Sequence, residues 1–239
     1  VSEIAVPGAI NFRDTGGLPA GPGRTRAGVL FRSGELSRVA AEGRRALAAL
    51  HLRRVIDLRA DDEVGQAPSA LDGLGVTTQR VPLFLGSVAS FFADDLSLEQ
   101  MYRHIVDDAA DRVVDVVRGV LADQPVLVHC TVGKDRTGVT VGLTLAAAGV
   151  DEAAVVDDYA RTEGMLPARR SHAVVSFLRT QHPEARHLEE LAMRSPAPVM
   201  RGLLDDLSRR FGSPADYLRA GGLTDDELSE LRRILVEEG

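Results

Sequence analysis

Short apolar runs and longer amphipathic stretches alternate along much of the chain. Residues 29–32, 55–59, 76–82 and 126–128 have the length and branching of buried strands. Residues 40–50, 97–122, 136–149 and 151–161 instead space their apolar side chains as helices do. In 97–122 the stripe runs through Leu98, Met101, Ile105, Val113, Val116, Val117, Val120 and Leu121, and Ser97 with Gln100 has capping-box spacing. Asp151 is a candidate N-cap for the last of these helices. Alternating strands and helices predict an α/β fold, with a central, mostly parallel sheet of four to five strands flanked by helices.

The ends follow other patterns. Residues 1–28 carry turn signals at Pro7-Gly8, Gly16-Gly17 and Gly21-Pro22-Gly23, which predict an extended segment with a short hairpin. Residues 167–194 read as two short helices interrupted at His182-Pro183, and 202–239 as a helical C-terminal part punctuated by Pro214, Gly221 and Gly222. Residues 84–96 fit neither period yet hold three of the seven phenylalanines, as expected of an apolar wall beside a pocket or of a loop folded onto the core.

At 239 residues the chain is read as one domain, 1–239, with room for a sizeable core. A net charge of −7 argues against a nucleic-acid partner, which usually calls for a basic stripe. No apolar run reaches the roughly 20 residues of a membrane span. With no evident signal peptide and one cysteine, the expected location is a reducing cytoplasm, although export by a route without such a peptide would leave the same sequence. The histidines lack partners at metal-ligand spacing, so no metal and no cofactor is expected.

Composition also singles out one stretch. Lys134 is the only lysine among 28 Lys and Arg residues, and Cys130 is the only cysteine. They lie four positions apart in Pro125-Val-Leu-Val-His-Cys-Thr-Val-Gly-Lys-Asp-Arg-Thr-Gly138, read as strand, tight loop and first helical turn. A loop entering a helix N-terminus gathers backbone N–H groups and the positive dipole end into one concavity, which binds phosphate and favours thiolate over thiol. Cys130 is therefore expected to attack phosphorus as a thiolate. Arg136 is expected to hold two phosphate oxygens bidentately, as a lysine cannot. Thr137 could donate to the sulfur, and His129 order the loop. A Walker A loop is excluded, because Val128 stands for its first glycine and Asp135 for its Ser/Thr. A merely structural cysteine would not require the Gly-Lys-Asp-Arg-Thr-Gly tail.

His129-Cys130-x5-Arg136-Thr137 resembles the signature of cysteine-dependent tyrosine and dual-specificity phosphatases. The form His-Cys-Thr-Val-Gly-Lys-Asp-Arg-Thr-Gly is similar to the bacterial branch typified by mycobacterial tyrosine phosphatase B. Asn11-Phe-Arg-Asp-Thr-Gly-Gly17, Phe31-Arg-Ser-Gly34 and Val55-Ile-Asp-Leu-Arg59 resemble further blocks of that branch, so the likeness covers roughly the first two-thirds of the chain. The resemblance implies a tyrosine-phosphatase-like fold, a helical lid at 163–196, and phosphotyrosine, phosphoserine/threonine or phosphoinositide substrates. It places Arg13 near the phosphate site in a supporting role.

The expected reaction is metal-independent phosphomonoester hydrolysis through a cysteinyl-phosphate. Cys130 is the nucleophile, Arg136 and the loop residues Thr131, Val132, Gly133, Lys134, Thr137 and Gly138 bind substrate, and Asp57 and Arg59 either join the site or pair with each other. Lys134 is expected at the rim, for a second phosphate or to hold the thiolate. Asp135 is the first candidate for general acid, with Asp94, Asp95 and Asp57 as alternatives. A phosphorylated partner is expected in every case: phosphoprotein, phosphoinositide or small phosphate ester. The alternatives are a phosphatase of a small metabolite or nucleotide and a non-catalytic phosphate-binding module.

Overall fold

The computed structural model describes residues 5–83 and 95–238. Its main sheet has five strands in the order β1 (Arg13–Asp14), β4 (Leu30–Ser33), β7 (Val126–His129), β5 (Arg54–Asp57), β6 (Thr77–Arg80). β1 is antiparallel to β4, and the other pairings are parallel. β7 lies in the middle, with Ser33 and Asp57 both in register with His129. Three strands thus end together at one edge, where open α/β sheets place their ligands.

Alternation along these strands divides the core. Leu30, Ile56, Val126 and Val128 face the larger cluster, while Phe31, Val55 and Leu127 face a smaller one under α1 (Ala41–Ala49). The hairpin expected near Gly21 forms as β2 (Pro19–Ala20) and β3 (Gly23–Thr25). β3 also pairs with a strand the sequence did not suggest, β8 (Val236–Glu237). Another unexpected element, α2 (Asp61–Gln66), follows β5.

The helix expected over 97–122 is two: α3 (Leu98–Asp108), with the Ser97/Gln100 capping box, and α4 (Ala110–Ala122). Its stripe is continuous, but Ala109 leaves the helical region at φ −133° and ψ 31°. The break lets the halves pack differently, α3 on α9 (Ala197–Phe211) and α4 on α11 (Asp225–Leu235) and β5. α5 (Asp135–Ala147) leaves the loop after β7 and is buried along nearly its whole length, packed against α6 (Glu152–Met165) and α10 (Pro214–Ala220). Within 163–196 lie α7 (Ala168–Gln181) and α8 (Leu188–Met193), which pack on each other. No described helix is long and apolar enough to cross a membrane.

Candidate active site

β7 delivers Cys130 to the sheet edge, and residues 130–134 turn into α5. Gly133 makes this turn possible. Its φ is +73°, and a Cβ there would lie 2.4 Å from Ser33 O, so loop and β4 touch backbone to backbone. Gly34 is its counterpart, since a Cβ on it would sit 2.9 Å from Val132 O. Cys130 is buried, and Gly133 N–H donates to its Sγ at 3.2 Å.

Arg136, in the first turn of α5, folds back over the loop. Its Nη1 and Nη2 donate to the two carboxylate oxygens of Glu63 at 2.6 and 2.8 Å. Glu63 also accepts from Thr131 Oγ1, and its Oε2 accepts from Ala60 N–H at 2.9 Å at the start of α2. Burial pushes the Glu63 carboxyl up, but the bonds and charge of Arg136 outweigh it and hold it at about 2. Burial opposes the charge on Arg136, yet Glu63 and Cys130 raise it above its ordinary value. Sequence reasoning missed Glu63. The only local signal was an acidic triplet, Asp61-Asp62-Glu63, after an apolar strand ending in Asp-Leu-Arg.

Lys134, expected at the rim, is fully buried. Its Nζ donates to Arg194 O at 2.9 Å and more weakly to Glu190 O at 3.4 Å, at the C-terminal end of α8, and lies 2.8 Å from Asp135 Oδ1. A cation there suits the carbonyl end of a helix. Asp135 Oδ1 also accepts from Tyr102 Oη at 3.0 Å, and Tyr102 and Tyr159 share a 2.8 Å hydrogen bond. Because the one Tyr102 proton goes to Asp135, Tyr159 is the donor in that second bond. Burial raises both phenols, so both stay protonated.

The remaining expected residues divide clearly. Asp57 and Arg59 pair with each other at 2.8 Å, and Arg59 goes on to Ala67 O and Ser69 Oγ, so this pair fastens the chain that follows β5. His129 is buried, with Nδ1 3.3 Å from Cys130 O and Nε2 3.7 Å from Asp57 Oδ2. Burial, only partly offset by Asp57, lowers it to about 4. Thr137 Oγ1 is buried without a hydrogen-bond partner, so the expected bond to Cys130 Sγ is not made. Gly138 N–H is committed to Lys134 O at 2.8 Å within α5 and does not reach the loop's interior. Val132 is reached through its carbonyl, which accepts from Asn11. Arg13 touches Asp158 and Asn11 and contacts the loop through the latter. Asp95 accepts from the backbone N–H groups of Arg186 and His187, before α8. Asp94 and most of the phenylalanine-rich stretch, at 84–94, lie outside the described residues.

A family model described as "Tyrosine phosphatase family" matches residues 4–237. The chain belongs to that family. It is a cysteine-dependent phosphatase, and the match runs past the loop into C-terminal helices that carried no diagnostic residue. The triple specificity protein phosphatase PtpB of Mycobacterium tuberculosis (strain ATCC 25618 / H37Rv) is 29% identical to this phosphatase over 97% of the chain and 98% of its own length. A tyrosine-protein phosphatase of Nostoc commune is 31% identical over 89% of the chain and 76% of its own length. Among solved structures, the core catalytic domain of the PP-IP phosphatase SIW14 from S. cerevisiae, in complex with citrate, matches with a TM-score of 0.44 and 20% identity, covering 90% of this chain and 98% of that one.

Proposed function

We propose that this phosphatase hydrolyses phosphotyrosine in proteins with relaxed specificity that extends to phosphoserine, phosphothreonine and phosphoinositides. The observation that carries the reading is the buried Cys130–Arg136 loop, where a free thiol accepts from the Gly133 N–H and the guanidinium of Arg136 is fixed over the loop by Glu63. The specificity rests on the likeness to relatives named tyrosine and triple specificity phosphatases.

In this reading Cys130 Sγ attacks phosphorus in line, the S–P bond forms and the P–O bond to the leaving group breaks. Asp135 gives its proton to the leaving oxygen. Water then attacks phosphorus, the S–P bond breaks, and Asp135 takes the water's proton. Loop N–H groups and Arg136 stabilise the equatorial oxygens, where transition-state charge collects. The choice of Asp135 is supported over the described alternatives: Asp57 is committed to Arg59, Asp95 to residues 186–187, and Glu63, beside the loop, to Arg136. With Oδ1 bound by Tyr102 and Lys134, Oδ2 is the oxygen that presents the proton.

We read 1–239 as one phosphatase domain and 163–196 as its helical lid, fastened where Lys134 meets α8. The single cysteine, without a resolving partner, supports work in a reducing compartment such as the cytoplasm. The test is phosphate release in EDTA by wild type, Cys130→Ser and Asp135→Asn. Phosphotyrosine and phosphoserine peptides, phosphoinositides, sugar phosphates and nucleotides form the panel. Turnover of peptides or lipids, lost in Cys130→Ser, is expected. Turnover of small metabolites alone moves the assignment to a pathway enzyme, and retained activity in Cys130→Ser overturns the mechanism.

A further inference from the structure

Three successive carbonyls of the active-site loop are tied on its outer side. Thr131 O accepts from Glu35 N–H at 3.0 Å. Val132 O accepts from Asn11 Nδ2 at 3.3 Å. Gly133 O accepts twice, from Asn11 Nδ2 at 2.7 Å and Arg32 Nη2 at 3.0 Å. A trans peptide points its C=O and N–H in opposite directions. Holding these carbonyls outward therefore turns the N–H groups of Val132, Gly133 and Lys134 inward. One of the three shows it directly, since Gly133 N–H meets Cys130 Sγ at 3.2 Å.

The two side chains that hold the loop are themselves held. Arg32 Nη1 pairs with Asp158 Oδ2 at 2.6 Å, and Arg13 Nε with Asp158 Oδ1 at 2.7 Å, so two buried guanidiniums share one carboxylate. Arg13 also donates to Asp158 O at 2.7 Å, to Thr162 Oγ1 at 3.1 Å, and to the Oδ1 of Asn11. Asn11 Oδ1 thus accepts while its Nδ2 donates, which fixes the orientation of the amide. Its backbone sits at φ +55°, a left-handed conformation that few residues other than glycine and asparagine adopt readily. Arg32 Nε, moreover, is buried without a partner. A positive φ and an unpaired donor are costs, and they collect where the cluster meets the loop.

We propose that Asn11 and Arg32 are positioning residues for the phosphatase reaction: they orient the 132–133 and 133–134 peptides so that the N–H groups of Gly133 and Lys134 join that of Val132, set by Glu35 N–H, in converging on the transferring phosphoryl group. Arg13 and Asp158 lock them in place. The assignment rests on the phosphatase reading for the reaction it serves, but the oxyanion cradle it describes can be measured without turnover.

The experiment compares wild type with Asn11→Gly, Arg32→Lys and Arg32→Met. It reads melting temperature, tungstate affinity by calorimetry, and kcat and KM on p-nitrophenyl phosphate. Asn11→Gly suits the positive φ and removes only the amide. With the fold retained, tungstate affinity and kcat each fall about 10- to 100-fold while KM moves less than about threefold, the pattern of lost transition-state donors. Arg32→Lys keeps the charge but cannot bridge Asp158 and Gly133 O together, so it fails to rescue and behaves like Arg32→Met. If Asn11→Gly does not fold, the comparison of Arg32→Lys with wild type decides. A folded Asn11→Gly within about twofold of wild type in both tungstate affinity and kcat overturns the proposal, as does full rescue by lysine at position 32. Wild type that binds tungstate but releases no phosphate sinks the phosphatase reading, and the tungstate arm then judges the positioning claim alone.

Discussion

Asp135 is the residue on which the leaving group depends, and its neighbours set how well it serves. Tyr102 Oη fixes one carboxylate oxygen at 3.0 Å, and Tyr159 stands behind Tyr102 at 2.8 Å. Replacing Tyr102 with Phe deletes that bond and keeps the ring, which packs edge-on against Tyr159. A hydrogen bond to a charged group contributes about 1.5–3 kcal/mol, so kcat should fall roughly 10- to 100-fold if the bond orients the acid throughout the reaction. The dependence on leaving group separates orientation from general damage. An aryl phosphate with an acidic phenol needs little proton donation and should lose least, while an alkyl phosphate should lose most. An equal loss on both would mean that Tyr102 does not act through Asp135. Gly133 gives a second residue-scale prediction. Alanine there meets both the positive φ and Ser33 O at 2.4 Å. Gly133→Ala should abolish tungstate binding, with stability lowered by about 1–3 kcal/mol as the loop shifts off β4. A variant that still binds tungstate as wild type does would show that the loop tolerates the displacement.

Among elements, α8 is joined to the active-site loop through Lys134, whose ammonium sits against the carbonyls of Glu190 and Arg194. Lys134→Met keeps the length and loses these bonds. The amides of 186–194 should then exchange with solvent about 10- to 100-fold faster, while those of β7 and α5 keep their protection. Unchanged exchange by mass spectrometry would show that packing alone holds α8 down. This junction also marks where sequence reasoning ended. The loop was legible because its signals are local: one cysteine, one lysine and an arginine within a single turn of chain. The strands were legible as compact apolar runs. The long-range partnerships of Glu63, Asn11, Arg32 and Asp158 were not, since they join residues up to 145 positions apart and nothing local marks which of many charged residues will meet. Lys134 was misplaced for the same reason, because its burial depends on a helix more than fifty residues downstream. The break at Ala109 was hidden by a stripe that continues in phase on both sides, and only the differing partners of α3 and α4 account for it.

For the whole molecule, the buried centre of the sheet imposes an acid limit on stability. His129 ends the middle strand with no exposed surface, and burial lowers it to about 4. The other histidines are exposed or half-buried, so His129 is the one that folding removes fully from water. In the unfolded chain it titrates near 6.5, as any histidine does. Between those values the unfolded state binds a proton that the folded state refuses, so stability falls as pH is lowered from 6.5 towards 4 and is unaffected by this group outside that window. The full difference is about 3 kcal/mol, a large share of the margin by which a domain of this size stays folded. Glu63 adds a separate loss at lower pH. With its carboxyl held at about 2 against an ordinary 4.5, the stability it supplies is complete above 4.5 and disappears as pH falls through 2. The two windows barely overlap, so the range from pH 7 to 5 isolates the histidine. Urea unfolding of wild type across that range should show the free energy dropping by about 2 kcal/mol, and His129→Asn should be flatter even if less stable throughout. Parallel slopes in the two proteins would refute the assignment. The cost of keeping His129 neutral has a structural reason. A protonated imidazole there would be a buried charge facing Arg59 and Arg136, offset only in part by Asp57 3.7 Å away, at the end of a strand whose register with Ser33 and Asp57 sets where the loop begins.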